Sequence, residues 1–121
     1  MSIKVLLADD SEIVRRAIRL ILRGQSEIEL VGEASDFRQT IRMMNDLNPQ
    51  VIILDLHMPN GTAAMLLDIK SHLNHDSRLL AISFLDDESA RTLAENLGAA
   101  GFLDKAKIGL KLIPTIMQLA A

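Results

Sequence analysis

Four apolar runs in this chain end in side chains that can do chemistry. Lys4-Val5-Leu6-Leu7-Ala8 runs into Asp9-Asp10, and Val51-Ile52-Ile53-Leu54 into Asp55. Leu79-Leu80-Ala81-Ile82 runs into Ser83, and Gly101-Phe102-Leu103 into Asp104-Lys105. If the runs lay side by side, Asp9, Asp10 and Asp55 would crowd three carboxylates together, with the Ser83 hydroxyl and the Lys105 amine beside them. Crowded carboxylates repel, and a hard divalent cation relieves the repulsion; Mg²⁺ suits carboxylate and water oxygens. The amine could pair with Asp55, or with an oxygen of a phosphoryl group carried on it. Each residue alone has a plainer role: Asp9-Asp10-Ser11 as a helix cap, Ser83 as turn chemistry, Lys105 as solvated charge. Their joint placement at strand ends is what argues for a site, because open parallel α/β sheets place sites outside the carboxyl ends of their strands.

The elements that must position these residues follow from periodicity. Residues 3–8 read as a strand covered on both faces. Residues 12–23 change to a helical period, with Val14, Ala17, Ile18 and Ile21 on one face, and Gly24 stops the helix. Residues 28–32 read as a strand. Asp36 caps a helix running to about Leu47 with Ile41 and Met44 inward, and Asn48-Pro49 breaks the chain before the strand 51–54. Pro59-Asn60-Gly61 is a turn before a helix over 62–73, and 79–82 is the next strand. Asp86-Asp87-Glu88 opens a helix with Ala90, Leu93, Ala94 and Leu97 on its apolar face, ended by Gly98. After a short strand at 101–103, the last helix is expected to start near Lys111, because proline, here Pro114, is best tolerated in a first turn. The pattern is (βα)5: one α/β domain over residues 1–121 with a parallel sheet.

Bulk properties narrow the function. The 121 residues carry a net charge of −3, so nothing draws the whole chain to nucleic acid or an anionic membrane. There is no cysteine, which removes disulfides and thiolate metal sites. No run reaches the ~18 apolar residues of a membrane span, and the N-terminus lacks a signal-peptide core; a cytoplasmic location is expected. Neither a Walker pattern nor a G-x-G-x-x-G is present.

Taken together, these motifs resemble the response-regulator receiver domain of two-component signalling. The resemblance rests on Asp9-Asp10, Asp55-Leu56-His57-Met58-Pro59, Ser83, and Gly98-Ala99-Ala100-Gly101-Phe102-Leu103-Asp104-Lys105, in order and across essentially the whole chain. It implies a flavodoxin-like fold with strand order 2-1-3-4-5. It implies that Asp55 accepts a phosphoryl group, that Asp10 binds Mg²⁺ directly and Asp9 through water, and that the His57 backbone carbonyl completes the protein ligands. Ser83 and Lys105 would hold the phosphoryl oxygens. Phe102 would be an aromatic switch, acting on the surface of the fourth helix, fifth strand and fifth helix. The implied donor is a sensor histidine kinase or a phosphotransfer protein, and the implied role is a regulatory switch rather than a turnover enzyme. A homodimer and a C-terminal DNA-binding output domain outside this chain are compatible with the resemblance; Gly32-Glu33-Ala34 resembles receivers that carry helix-turn-helix outputs.

Several positions depart from the family pattern. Phe84 and Leu85 follow Ser83 where a small and a polar residue are usual, so slow self-dephosphorylation is expected. Phe84 could also narrow access or compete with Phe102 for space. His57 is expected to act through its backbone. Gly61 comes early after Pro59, so the 59–64 loop is expected to be reshaped, and Ala106 stands where a proline is common. Arg15, Arg16, Arg19 and Arg23 read as a solvated basic face, with kinase docking as the functional alternative. His72 and His75 flank a loop with Asn74 and Asp76 and read as solvated histidines, since a metal site there would need more ligands. The competing function is a phosphate-independent docking module, kept in play by Phe84 and the 59–64 loop. A dehalogenase-type aspartyl-phosphate hydrolase would need a second acid where His57 stands.

Overall fold

Alternation of apolar runs with amphipathic stretches produces an alternating chain of strands and helices. The computed structural model describes residues 2–121, so the Met1 end of the expected domain lies outside the described residues. The elements are β1 Ile3–Ala8, α1 Glu12–Arg23, β2 Ile28–Ala34, α2 Phe37–Leu47, β3 Val51–Asp55, α3 Ala63–His72, β4 Arg78–Ser83, α4 Glu88–Asn96 and β5 Gly101–Asp104. A 3-10 turn over Lys105–Lys107 then leads into α5, Ile108–Ala120. Every strand pair is parallel, and the sheet order is β2-β1-β3-β4-β5. This is the flavodoxin-like order that the family resemblance implies, with the switch point between β1 and β3.

The pleat divides the strand side chains between two cores. Leu6, Ala8, Ile52, Leu54, Leu79 and Ala81 face Phe37 and Met44 of α2, Ile69 of α3, and Ala90 and Ala94 of α4. Val5, Leu7, Val51, Ile53, Leu80 and Ile82 face Ile18 and Leu22 of α1, and Leu112 and Ile116 of α5. Because both faces are covered, the inner stretches of β1, β3 and β4, residues 5–8, 51–54 and 79–82, are apolar. Cutting a residue such as Leu80 or Ile53 back to Ala would cost ~2–5 kcal/mol.

The helix starts obey local chemistry. Ser11, Asp36, Thr62 and Asp87 each accept a hydrogen bond from an N–H in the first turn of the helix they cap. Asn48 and Gly98 follow α2 and α4 with positive φ of 47° and 78°, which lets the chain turn sharply into the next element.

Two expectations, on Ala17 and on the last helix, are corrected, and the early glycine gains a physical reason. Ala17 is exposed, and Leu22 takes its place on the buried face of α1. Gly61 is demanded by packing: a Cβ there would sit 2.5 Å from the ring of Phe37, so the loop presses on α2. The last helix begins at Ile108, not near Lys111, and Pro114 lies inside it. Pro114 cannot donate to the carbonyl of Leu110, but both residues are exposed, so water can serve that carbonyl and the helix continues. Among the described residues no helix is long and apolar enough to cross a membrane.

Candidate functional site

The sheet brings the strand ends together. Ala8 pairs with Leu54, Asp55 with Ile82 and Ser83 with Asp104, so each strand delivers its last residue to the same edge. Asp9 is fully buried directly after β1, Asp55 is buried at the last position of β3, and Ser83 is fully buried at the end of β4. Asp10 remains exposed at the rim. Asp9, Asp10 and Asp55 each present a carboxylate oxygen within 4.8 Å of the others, a set that could hold a metal ion.

Lys105 closes the cluster. Asp104 Oδ1 accepts the Ala106 N–H at 2.9 Å, which holds the 3-10 turn and aims Lys105 back over the strand ends. Its Nζ lies 2.6 Å from Asp9 Oδ2 and 3.1 Å from Asp55 Oδ2, with its side chain almost wholly buried. Asp9 Oδ2 is ion-paired to Lys105 and accepts no hydrogen bond from the described residues. A buried carboxylate oxygen in that condition fits a site built to meet a cation.

The other carboxylate oxygens are anchored by backbone. Asp9 Oδ1 accepts the Ser11 N–H at 2.9 Å, and Asp55 Oδ1 accepts the His57 N–H at 3.0 Å. Burial pushes the Asp55 carboxyl above the usual carboxylate range and the Asp9 charge adds to that, while the His57 N–H and Lys105 pull against it. One lysine faces more negative charge than it can neutralise.

Ser83 Oγ accepts the Leu85 N–H at 2.9 Å and is hydrogen-bonded to His57 Nε2 at 3.0 Å. The His57 ring was not expected to take part. Phe84 is exposed, with its ring centroid 5.1 Å from Lys105 Nζ. Phe102 packs partly buried against the α2–α3–α4 core, and Arg91 stacks over its ring at 4.7 Å. The two phenylalanines are thus held by different cations. Arg91 is itself fixed by Asp86 at 2.7 Å.

Family models locate this arrangement. The response regulator receiver domain model matches residues 5–116. The chain belongs to that family. The receiver is 37% identical over 105 residues to the transcriptional regulatory protein LiaR of Bacillus subtilis, covering 85% of this chain and 49% of that protein. It is 37% identical over 111 residues to a protein-glutamate methylesterase/protein-glutamine glutaminase of Hydrogenovibrio crunogenus, covering 90% of this chain and 29% of that protein. Among solved structures, the response regulator domain of Thermotoga maritima CheB matches with a TM-score of 0.85 at 26% identity, covering 99% of this chain and 97% of that one. The chain spans half or less of the curated relatives named here.

The receiver also uses residues that sequence reasoning passed over. Arg15 was read as solvated, but its Nη1 donates to the Asp9 carbonyl at 2.7 Å and its guanidinium also pairs with Glu12 and Glu33. Arg19 makes two hydrogen bonds to Glu33 at 2.6 and 2.8 Å. Only Arg16 and Arg23 of that basic set are exposed. Glu33, near the end of β2 and paired with Leu7 of β1, is the available signal. His72 and His75 pair with Asp68 and Asp76 and join no metal-binding group among the described residues.

Proposed function

We propose that this receiver domain, occupying residues 1–121, is a phosphorylation-driven signalling switch whose phosphoacceptor is Asp55. The observation that carries the reading is the buried Asp9–Lys105–Asp55 cluster, in which one cation bridges two carboxylates at the carboxyl end of the sheet. A carboxylate there is stable only with positive charge around it, which is what an incoming phosphoryl group also needs.

In this reading a carboxylate oxygen of Asp55 attacks the phosphorus of a phosphohistidine on a sensor histidine kinase or phosphotransfer protein. The P–O bond to Asp55 forms as the P–N bond breaks, and the electron pair returns to the imidazole. The His57 N–H orients the attacking carboxylate, and Lys105 moves its charge from Asp55 to the phosphoryl oxygens. Ser83 offers its hydroxyl to the same group. Asp10, Asp9, Asp55 and the His57 backbone carbonyl would hold Mg²⁺, which when bound offsets charge on the phosphoryl oxygens. The output follows from Ser83 moving and Phe102 repacking under Arg91, which alters the surface of α4, β5 and α5. Water ends the signal by hydrolysing the acyl phosphate. Phe84 beside Lys105 and the apolar Leu85 leave no polar side chain at the two positions directly after Ser83 to orient that water, so the signal is long-lived. The domain is regulatory and catalyses only its own modification.

Relatives named as transcriptional regulators, LiaR and DegU, extend well beyond the matched region, which supports a C-terminal DNA-binding output in the intact regulator. The test is incubation with Mg²⁺ and a small acyl-phosphate donor, followed by intact mass, with Asp55→Ala as control. A gain of one phosphoryl group, absent in the variant, is expected. No gain after long exposure would instead favour a phosphate-independent docking module, whose structural basis is the Phe84 ring beside Lys105.

A further inference from the structure

His57 touches both groups that must handle a phosphoryl on Asp55. Its backbone N–H donates to Asp55 Oδ1, and its ring nitrogen Nε2 is bonded to Ser83 Oγ. Ser83 Oγ also accepts the Leu85 N–H and makes no hydrogen bond to Asp55. The Leu85 N–H occupies one lone pair of the hydroxyl, and with Nε2 unprotonated the single Ser83 proton is donated to His57, so a phosphoryl oxygen, which can only accept, must compete with Nε2 for that proton. The pairing is a product of register: Asp55 lies opposite Ile82, so the residue two beyond Asp55 meets the residue one beyond Ile82. The histidine itself is exposed, so the fold does not depend on burying it.

We propose that His57 is a positioning residue that holds Ser83 in a resting orientation, so that phosphoryl binding at Asp55 exchanges the His57–Ser83 bond for a Ser83–phosphoryl bond. The inference rests on the phosphoacceptor reading and adds to it a resistance built from this chain's own histidine. The bond opposes the switched state whatever the donor. A ligand that recruits Ser83 is weakened by the strength of the contact it must break.

The experiment titrates wild type, His57→Ala, Ser83→Ala and the double variant with beryllofluoride in Mg²⁺, following binding by NMR. His57→Ala should bind beryllofluoride about fivefold more tightly, which is about 1 kcal/mol and the size of one neutral hydrogen bond. In the Ser83→Ala background the histidine change should have no effect, because the contact is already gone. Unchanged or weaker binding by His57→Ala overturns the proposal, as does tighter binding that persists without Ser83, since that would mean the ring merely obstructs entry. Absence of any wild-type binding at millimolar beryllofluoride would overturn the phosphoacceptor reading and this inference together. A second readout needs neither metal nor ligand: Ser83→Ala should shift the ¹⁵N resonance of the His57 ring, and an unmoved resonance would rule the contact out.

Discussion

Two charge clusters in this receiver use the same residue types to opposite ends. On the surface between α1 and β2, Arg15 and Arg19 meet Glu12 and Glu33 in a balanced set. At the sheet edge, Lys105 alone meets Asp9 and Asp55, with Asp10 nearby. The consequences diverge. Arg19 holds the Glu33 carboxyl below the usual range, whereas burial drives Asp55 above it. Glu33 is content as an anion and holds structure; Asp55 is an anion the fold tolerates poorly, and so is available to bind something. Arg15 joins the two clusters by donating to the Asp9 carbonyl, which places the balanced cluster behind the strained one.

The largest expected break is at Lys105. Lys105→Ala should slow acyl-phosphate labelling of Asp55 by about 10²-fold, the usual cost of losing one preorganised positive group at developing charge. Labelling rate by intact mass checks this, and a change below about threefold would remove Lys105 from the reaction.

Asp55→Asn should raise thermal stability near pH 7, because the amide keeps the acceptor for the His57 N–H and relieves the repulsion with Asp9. The sign follows from linkage. With a raised folded-state pKa, the ionisation of Asp55 costs stability as pH rises through that value, and no cost remains below the unfolded value. The gain, of about 3–6 °C per kcal/mol, should therefore vanish under acid conditions. A variant that melts below wild type at neutral pH would contradict the strained-anion picture.

Glu33→Gln should do the reverse and do less. Its depressed pKa contributes stability that is present above the unfolded carboxylate range and lost as pH falls through the folded value. The pairs are partly exposed, so the loss is expected at or below about 1 kcal/mol and smaller still in high salt. Melting curves at two salt concentrations decide it. If labelling of Asp55 fell as far as in Lys105→Ala, the surface cluster would belong to the site itself.

Much of this was legible before any coordinates. The parallel sheet and its covered faces follow from apolar runs alternating with capped helices, the strand order follows only from the family resemblance, and Asp36, Asp87 and Gly98 act where local chemistry put them. Local rules weigh Pro114 heavily as a helix start, while in the fold Pro114 and Leu110 both lie on the exposed side of α5 and the helix continues through them. Gly61 looked like an irregular loop because nothing in the sequence places Phe37 beneath it.

What the chain determined by itself is which side chains stand at the strand ends, because a buried run of fixed period must stop where polar groups begin. Asp9, Asp10, Asp55, Ser83 and Lys105 could be named on that ground alone. What only the tertiary structure decided is how they are paired. Lys105 bridging Asp9 and Asp55, Arg15 bracing the Asp9 carbonyl and the His57 ring meeting Ser83 all depend on the lateral register of strands distant in sequence. That register is set by packing the two cores, a sum over many small contacts that no short motif records.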